Sequence, residues 1–116
     1  MIKFTYSGTP KPQSRVRFAN GRAYEKSDIK EYKWQLAHAA KLAMNGESSW
    51  QTAVSVDIEI RRKFPTCSRR FGDIDNHIKA ILDALNGVVW LDDSLITSVT
   101  ARKVQSADEG ITVEVN

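Results

Sequence analysis

The chain has a single cysteine, Cys67, and no long uninterrupted run of apolar residues. One cysteine can form neither an internal disulfide nor a cysteine-based zinc site, and an intracellular compartment is the default for such a chain. The opening residues MIKFTYSGTP lack the apolar segment of a signal peptide, and no run approaches the roughly 18 apolar residues of a membrane span. We therefore expect a soluble, cytoplasmic protein with no membrane partner.

The length is modest. A chain of 116 residues with 41% hydrophobic content suffices for one ordinary domain, so we predict a single domain over residues 1–116. A domain of this size has little area to spare for a deep enclosed pocket. An open groove or a subunit interface is therefore the expected place for chemistry, which makes a dimer a reasonable expectation.

Charge is distributed unevenly along the chain. Residues 1–26 hold six Lys or Arg against one Glu, and residues 59–72 hold five against one acid. Residues 73–93 reverse the balance, with five Asp against Lys79. A basic rim around an acidic centre is what a metal-dependent phosphodiesterase needs, because phosphates must be attracted while carboxylates hold a divalent ion.

The periodicity of apolar residues predicts a two-layer α+β fold, with a mixed β-sheet and two helices on one face. The predicted elements, in order, are a strand near 2–6, a hairpin over 15–24 centred on Asn20-Gly21, a helix from 27 or 28 to 44, a strand over 52–61, a helix from 73 or 74 to 86 that buries Ile74, Ile78, Ile81, Leu82 and Leu85, and strands near 98–104 and 111–115.

The second predicted helix carries the candidate active site. Asp73 and Asp75 lie at its start, and Lys79 and Asp83 continue from Asp75 at steps of four along one solvent-facing stripe. Asp92 and Asp93 follow soon after the helix, so a short return of the chain could bring one of them beside Asp73.

Such carboxylates suit a hard divalent ion. Phosphodiester cleavage needs charge stabilisation on the nonbridging oxygens, an activated water and help for the leaving oxygen, all of which Mg²⁺ supplies. Carboxylates without cysteine or paired histidine favour Mg²⁺, with Mn²⁺ as a possible substitute, over zinc. Lys79 would then provide a point charge near the scissile phosphate.

The same residues have structural alternatives. Asp73 and Asp75 could serve only as a helix cap and a first-turn acid, favoured by the helix dipole. Lys79 could form an ordinary surface ion pair with a neighbouring Asp on the helix, and Asp92-Asp93 could simply open a turn. A calcium-binding EF-hand loop is excluded, because Ile78 and Ala84 occupy the positions that require Gly and Glu.

The basic residues and their aromatic neighbours also allow two interpretations. They could bind DNA phosphates and stack on bases, or they could be a solvated face and part of the core. The basic residues are Arg61, Arg62, Lys63, Arg69 and Arg70, and the aromatic ones are Phe64, Phe71 and Trp90. Neither His38 nor His77 has a partner at ligand spacing, so surface or capping roles are favoured over metal binding.

The order of these motifs resembles a known family. The run RRFGDIDN at 69–76, followed by Lys79, DAL at 83–85 and WLDD at 90–93, is similar to the signature of RusA-type Holliday-junction resolvases. The segment GTPKPQSRVR at 8–17 resembles versions of this family found in bacteria and their prophages. Gly72 departs from the pattern, since a further arginine often stands there, and DNA contacts at this position should be weaker.

The resemblance implies a homodimer that binds branched DNA and cuts four-way junctions by paired, symmetric, Mg²⁺-dependent nicks during recombination and repair. It implies Asp73, Asp75 and Asp93 as metal ligands and Lys79 as the essential cation. The supporting positions are Asn76, Asp83 and Asp92, and the DNA-binding positions are Arg15, Arg17, Arg61, Arg62, Lys63, Arg69 and Arg70. For Asp83 we favour orienting Lys79 or holding the helix.

A dimer also follows from symmetry, because a four-way junction is nearly two-fold symmetric and needs two cuts. Two other functions remain open from the sequence. The chain could be a non-catalytic nucleic-acid-binding module, or a Mg²⁺-dependent nuclease acting on flaps, forks or RNA.

Overall fold

The computed structural model describes residues 1–13, 17–19, 22–24 and 27–116, and within 17–24 it describes the backbone alone. These residues form β1 (Ile2–Ser7), β2 (Arg17–Ala19), β3 (Arg22–Tyr24), α1 (Ser27–Met44), β4 (Val54–Arg62), α2 (Ile74–Leu85), β5 (Ile96–Gln105) and β6 (Gly110–Val115). One turn of 3-10 helix, Asp93–Leu95, precedes β5.

The main sheet has four strands in the order β1-β6-β4-β5. β6 is antiparallel to both β1 and β4, whereas β5 is parallel to β4, so the sheet is mixed as predicted. Along β4 every second residue is buried, because alternate side chains of a strand point to opposite faces. The buried set is Val54, Val56, Ile58 and Ile60. One face of the sheet therefore belongs to the core.

Both helices cover that buried face. α1 packs on β1, α2 packs beside β5, and the two helices contact each other. α1 buries Ile29, Tyr32, Leu36, Ala40 and Met44, at the three- and four-residue spacing of an amphipathic helix. Across the described residues, no helix combines the length and apolar character needed to cross a membrane. The expected two-layer α+β arrangement is confirmed.

The connection from β4 through α2 to β5 is a parallel crossover. Because β4 and β5 run in the same direction side by side, α2 must return along the sheet from the carboxyl end of β4 to the amino end of β5. At that amino end, Ile96 lies opposite Val54, and Trp90 pairs with Trp50 just before β4. Residues that precede α2 and residues that follow it therefore lie at opposite ends of the β4–β5 pair.

The predicted hairpin is confirmed, since β2 and β3 pair antiparallel with each other. It forms a separate two-stranded sheet instead of joining the main sheet, and its predicted turn, Asn20-Gly21, lies outside the described residues. The buried face of α2 is also rotated from the predicted one, since Ile74 remains 37% exposed. The face that is buried consists of His77, Ala80, Ile81, Ala84 and Leu85.

Candidate active site

The loop between β4 and α2 is held to the core at Phe71. The Phe71 side chain is fully buried, and its carbonyl accepts hydrogen bonds from His77 Nε2 at 2.7 Å and Arg62 Nη1 at 2.9 Å. Gly72 follows with φ of +95°, a left-handed conformation that favours glycine. The chain then enters α2 through Asp73, whose backbone is extended.

Asp73 and Asp75 are both exposed at the start of α2. Asp73 occupies the N-cap position, but its side chain makes no capping hydrogen bond. Asp75 Oδ1 accepts a hydrogen bond from the Asn76 amide at 2.9 Å. The amino end of a helix favours negative charge, so two neighbouring carboxylates are tolerated there. A capping role therefore does not account for the Asp73 carboxylate.

Lys79 lies one helical turn beyond Asp75 and is exposed. In the described part of the chain it forms no ion pair, so the surface-pair alternative is not observed there. Asp83, one turn further on, pairs instead with Lys33 of α1, with Nζ and Oδ2 3.5 Å apart. Of the two roles weighed for Asp83, the structure supports holding the helix.

The Asp92-Asp93 pair lies beyond the other end of α2. Asp92 caps the 3-10 turn by accepting a hydrogen bond from the Ser94 amide at 3.0 Å, and hydrogen bonds from the Ser94 side chain and backbone lower the pKa of Asp92. Asp93 Oδ1 accepts a hydrogen bond from Nε1 of the buried Trp90 at 2.8 Å. Asp92 therefore has the turn role that was its structural alternative, while Trp90 orients Asp93.

The two sets of carboxylates do not meet within one chain. α2 contains 12 residues, which at a rise of 1.5 Å per residue separates its two ends by about 18 Å. Among the described residues, no three His, Cys, Asp or Glu side chains are close enough together to hold one metal ion. Within one protomer, the return that the sequence allowed from Asp92 or Asp93 to Asp73 is not observed, because the parallel crossover carries the chain away from Asp73.

Comparison with known proteins decides the family. The family model described as endodeoxyribonuclease RusA matches residues 6–116. The chain belongs to the RusA family. It is also 26% identical to the uncharacterized protein YqaN of Bacillus subtilis strain 168 over 132 aligned positions, which cover 97% of this chain and 93% of that protein. The resemblance inferred from the sequence motifs is confirmed.

In this RusA-family chain, the carboxylates at the start of α2 fit part of the ligand set of a Mg²⁺ ion. Mg²⁺ is usually held by one or two carboxylates together with waters and substrate phosphates, and Asp73 and Asp75 offer two exposed carboxylates at one helix end. The nearest imidazole, that of His77, is already engaged with the Phe71 carbonyl. The donors available at this end are therefore oxygens, which suit Mg²⁺ or Mn²⁺ rather than zinc.

The structure divides the predicted DNA-binding residues into two groups. Lys63, Arg69 and Arg70 are exposed to solvent. Arg61 instead donates hydrogen bonds to the Thr112 hydroxyl at 2.9 Å and to the Asp108 carbonyl at 3.3 Å. Arg62 donates to the Phe71 carbonyl and lies over the Phe64 ring. Arg61 and Arg62 thus have internal contacts that the sequence did not indicate.

The remaining two basic candidates belong to the amino-terminal segment. Arg15 lies outside the described residues, and Arg17 is described only as part of the β2 backbone. The backbone just before them is anchored beside the acidic pair, because the Gln13 amide donates a hydrogen bond to the Asn76 carbonyl at 2.9 Å.

The aromatic neighbours are mostly core residues. Phe71 and Trp90 are fully buried, so neither can stack on a DNA base in this conformation. Phe64 is only partly buried and remains beside the basic loop. The core interpretation therefore holds for Phe71 and Trp90.

His77 was misjudged from the sequence. The prediction of a surface or capping role is wrong, since His77 is the one buried polar residue among the described side chains. Burial lowers the pKa of His77, and the positive charges of Arg62 and Lys103 lower it further, while the hydrogen bond with the Phe71 carbonyl and the charge of Asp73 oppose the shift. The alanines at 80 and 84, three and seven residues later, were the available signal for this buried face.

The glycine at 72, which departs from the RusA pattern, has a local explanation. A Cβ atom at this position would lie 2.9 Å from His77 Nε2 and 3.0 Å from Pro12 Cγ. Since φ is also positive, an arginine could not replace Gly72 without displacing its neighbours.

Proposed function

We propose that this chain is a Mg²⁺-dependent endodeoxyribonuclease that resolves four-way DNA junctions by paired symmetric nicks, in recombination and repair. The observation that carries the proposal is the exposed pair Asp73 and Asp75, at the start of α2, with an Asp73 carboxylate that makes no capping bond. Membership of the RusA family supports an endonuclease.

The proposed ligands are Asp73 and Asp75 of one protomer and Asp93 of a second copy. These residues lie at opposite ends of α2, so one chain cannot bring them together. A two-fold axis that sets α2 antiparallel to the same helix of a second copy brings the start of each helix to the end of the other. Two equivalent sites are then completed at once.

The surface around α2 supports such a dimer. Ile74, Ile78 and Leu82, spaced four residues apart, form an apolar stripe on α2 that the core covers only in part. Val99 lies opposite Val56 on the helix-facing side of β5 yet is 38% exposed, and Leu91 is 59% exposed. β5 is an edge strand of its sheet, with backbone groups available on its outer side. Association would remove this apolar surface from water.

Each residue then has a defined task. When bound, Mg²⁺ supplies charge neutralisation at the scissile phosphate and a more acidic water. Lys79 contacts the nonbridging oxygens or the developing charge as a point charge. Arg69 and Arg70, at the mouth of the site, bind the flanking phosphates and position the DNA without reading its sequence.

The supporting residues hold these groups in place. Asn76 links the site to the amino-terminal segment through its carbonyl, and its amide donates to Asp75. Asp83 ties α2 to α1 through Lys33, and Asp92 caps the turn that carries Asp93. Arg15 and Arg17 continue from the anchored segment, where they would extend the phosphate-binding surface.

The decisive experiment compares cleavage of a mobile four-way junction, a flap, a fork, RNA and plain duplex in Mg²⁺ and in EDTA, for the wild type and Asp73→Asn. We expect paired nicks of the junction by the wild type in Mg²⁺ alone. Asp73→Asn should abolish cleavage while junction binding persists or tightens, since a negative charge near the phosphates is lost. Faster cleavage of flaps, forks or RNA would replace the junction assignment, and binding without any cleavage would indicate a non-catalytic module.

A further inference from the structure

We propose that His77 is a positioning residue for Asp73, acting through the Phe71 carbonyl; the inference rests on the proposed role of Asp73 as a metal ligand. The Asp73 side chain makes no capping hydrogen bond, so the backbone just before it determines where the carboxylate lies. That backbone is fixed at the Phe71 carbonyl by two donors, His77 Nε2 and Arg62 Nη1.

Of the two nitrogens of the His77 imidazole, only Nε2 makes a hydrogen bond among the described residues. Because a carbonyl can only accept, Nε2 must carry the proton, and in the neutral ring Nδ1 is then bare. Nδ1 is buried, with no hydrogen-bond partner among the described residues. A buried nitrogen without a partner is unfavourable, so an apolar side chain would suit the packing better. The 2.7 Å bond to the Phe71 carbonyl is the contribution that an apolar residue could not make.

The surrounding residues are adapted to this ring. The His77 ring meets the Phe71 ring edge-on, with centroids 5.8 Å apart and an interplanar angle of 79°. On the other side, only glycine at 72 leaves room for Nε2, because a Cβ there would come within 2.9 Å of it. We therefore regard Gly72 and His77 as a matched pair that fixes the approach to Asp73.

His77 also contacts Asp73 directly, through a backbone hydrogen bond in the first turn of α2. The His77 amide donates a hydrogen bond to the Asp73 carbonyl at 3.1 Å, while the His77 side chain reaches back to Phe71. One residue thus holds the backbone on both sides of Gly72. Loss of the side-chain bond should loosen residues 71–73 without removing any proposed ligand.

The test compares His77→Leu, which removes the donor but keeps an apolar side chain, with His77→Gln, whose amide nitrogen can replace Nε2 as a donor. His38→Leu is the matched control, because His38 is exposed on α1. Mg²⁺ binding to the full-length chain is measured by calorimetry without DNA, and junction cleavage is titrated with Mg²⁺. We expect His77→Leu to weaken Mg²⁺ binding about tenfold, as is typical when a contact behind a metal ligand is lost. His77→Gln and His38→Leu should stay close to the wild type.

The proposal would be overturned if His77→Leu and His77→Gln weakened Mg²⁺ binding equally, or if His77→Leu did not weaken it at all. Should both variants unfold, nitrogen NMR of the wild type decides, since a proton on Nδ1 instead of Nε2 contradicts the hydrogen bond. Cleavage and NMR together separate this proposal from the proposed function. If the wild type cleaves no branched DNA, the proposed function fails. The His77 tautomer and the amide exchange at residues 72 and 73 still test the positioning role in that case.

Discussion

Lys79 is the residue whose role is easiest to separate from that of the carboxylates. It is exposed one turn beyond Asp75, and within the described chain it forms no ion pair that would make it structural. We predict that Lys79→Ala lowers the turnover of junction cleavage by about 100-fold, the typical effect of removing one stabilising donor from a transition state. The Mg²⁺ concentration for half-maximal cleavage should be unchanged.

Single-turnover cleavage rates across a Mg²⁺ titration check this prediction. Lys3→Ala is the control, since Lys3 is an exposed lysine on β1, which forms the sheet edge opposite β5. If Lys79→Ala shifted the Mg²⁺ dependence as strongly as the rate, the lysine would be organising the ligands rather than acting on the phosphate.

Glu109 controls a pH-dependent part of the stability. Its carboxylate accepts hydrogen bonds from the Lys63 amide and the Thr9 hydroxyl, both at 2.9 Å, and the Lys63 bond is the main reason why the pKa of Glu109 lies below its usual value. A lowered pKa in the folded state means that the stabilisation exists above the unfolded pKa and disappears as the pH falls through the folded pKa.

We predict that Glu109→Gln lowers the free energy of unfolding at pH 7 by less than about 1 kcal/mol, because the carboxylate is largely exposed to solvent. The difference from the wild type should shrink as the pH falls below the usual pKa of glutamate, and it should vanish below the lowered pKa of Glu109 in the folded state, where both side chains are uncharged. Urea unfolding at several pH values measures this, with Glu31→Gln on α1 as the control. A difference that persists in acid would mean that the glutamate contributes through shape rather than charge.

At the scale of elements, the β4–α2 loop and the end of β4 carry arginines with different tasks. Arg70 is exposed on the loop, whereas the Arg61 side chain is only 15% exposed and donates hydrogen bonds to residues near β6. We predict that Arg70→Ala reduces the slope of log binding constant against log salt by about 1, as expected for one lost phosphate contact. Arg61→Ala should leave the slope unchanged and reduce the free energy of unfolding by about 1 kcal/mol.

Junction binding in EDTA at several salt concentrations, together with urea unfolding, separates these effects. Arg69→Ala is measured beside Arg70→Ala, because Arg69 is a second exposed arginine on the same loop. An equal change of slope for Arg61→Ala and Arg70→Ala would show that the internal contacts of Arg61 open when DNA binds.

At the scale of the whole molecule, the separation of the carboxylates makes subunit complementation possible. A chain carrying Asp73→Asn and Asp75→Asn should be inactive alone, and so should a chain carrying Asp93→Asn. In a mixed dimer, one of the two sites is intact. It takes Asp73 and Asp75 from the chain that carries Asp93→Asn, and it takes Asp93 from the chain that carries Asp73→Asn and Asp75→Asn. We predict that mixing restores about a quarter of the wild-type sites, since about half of randomly exchanged dimers are mixed and each has one good site of two.

The recovered activity should nick junctions without resolving them, because only one strand can be cut per dimer. The matched control mixes Asp73→Asn with Asp75→Asn, which cannot restore a site, as both residues belong to the same helix end. No recovery in the first mixture, with subunit exchange verified by mass, would show that each site is built from one chain after rearrangement.

Much of the fold was accessible from the sequence because it follows from local patterns. The alternation in β4 and the helical spacing in α1 predicted their buried faces, and the boundaries agree within two residues. The ordered motif from Arg69 to Asp93 was enough to identify the family. The buried face of α2 was misplaced, because Ile74 and Ile78 look like core residues when the neighbouring strand is unknown.

The sequence by itself determined the elements, the family and the candidate residues, since these depend on residue types and their spacing. Only the tertiary structure decided which candidates meet. It separated Asp93 from Asp73, engaged Arg61 and Arg62 in internal contacts and buried His77 behind Gly72. The physical reason is that distances across a parallel crossover depend on how strands pair and helices pack, and neither is a property of any short segment of the chain.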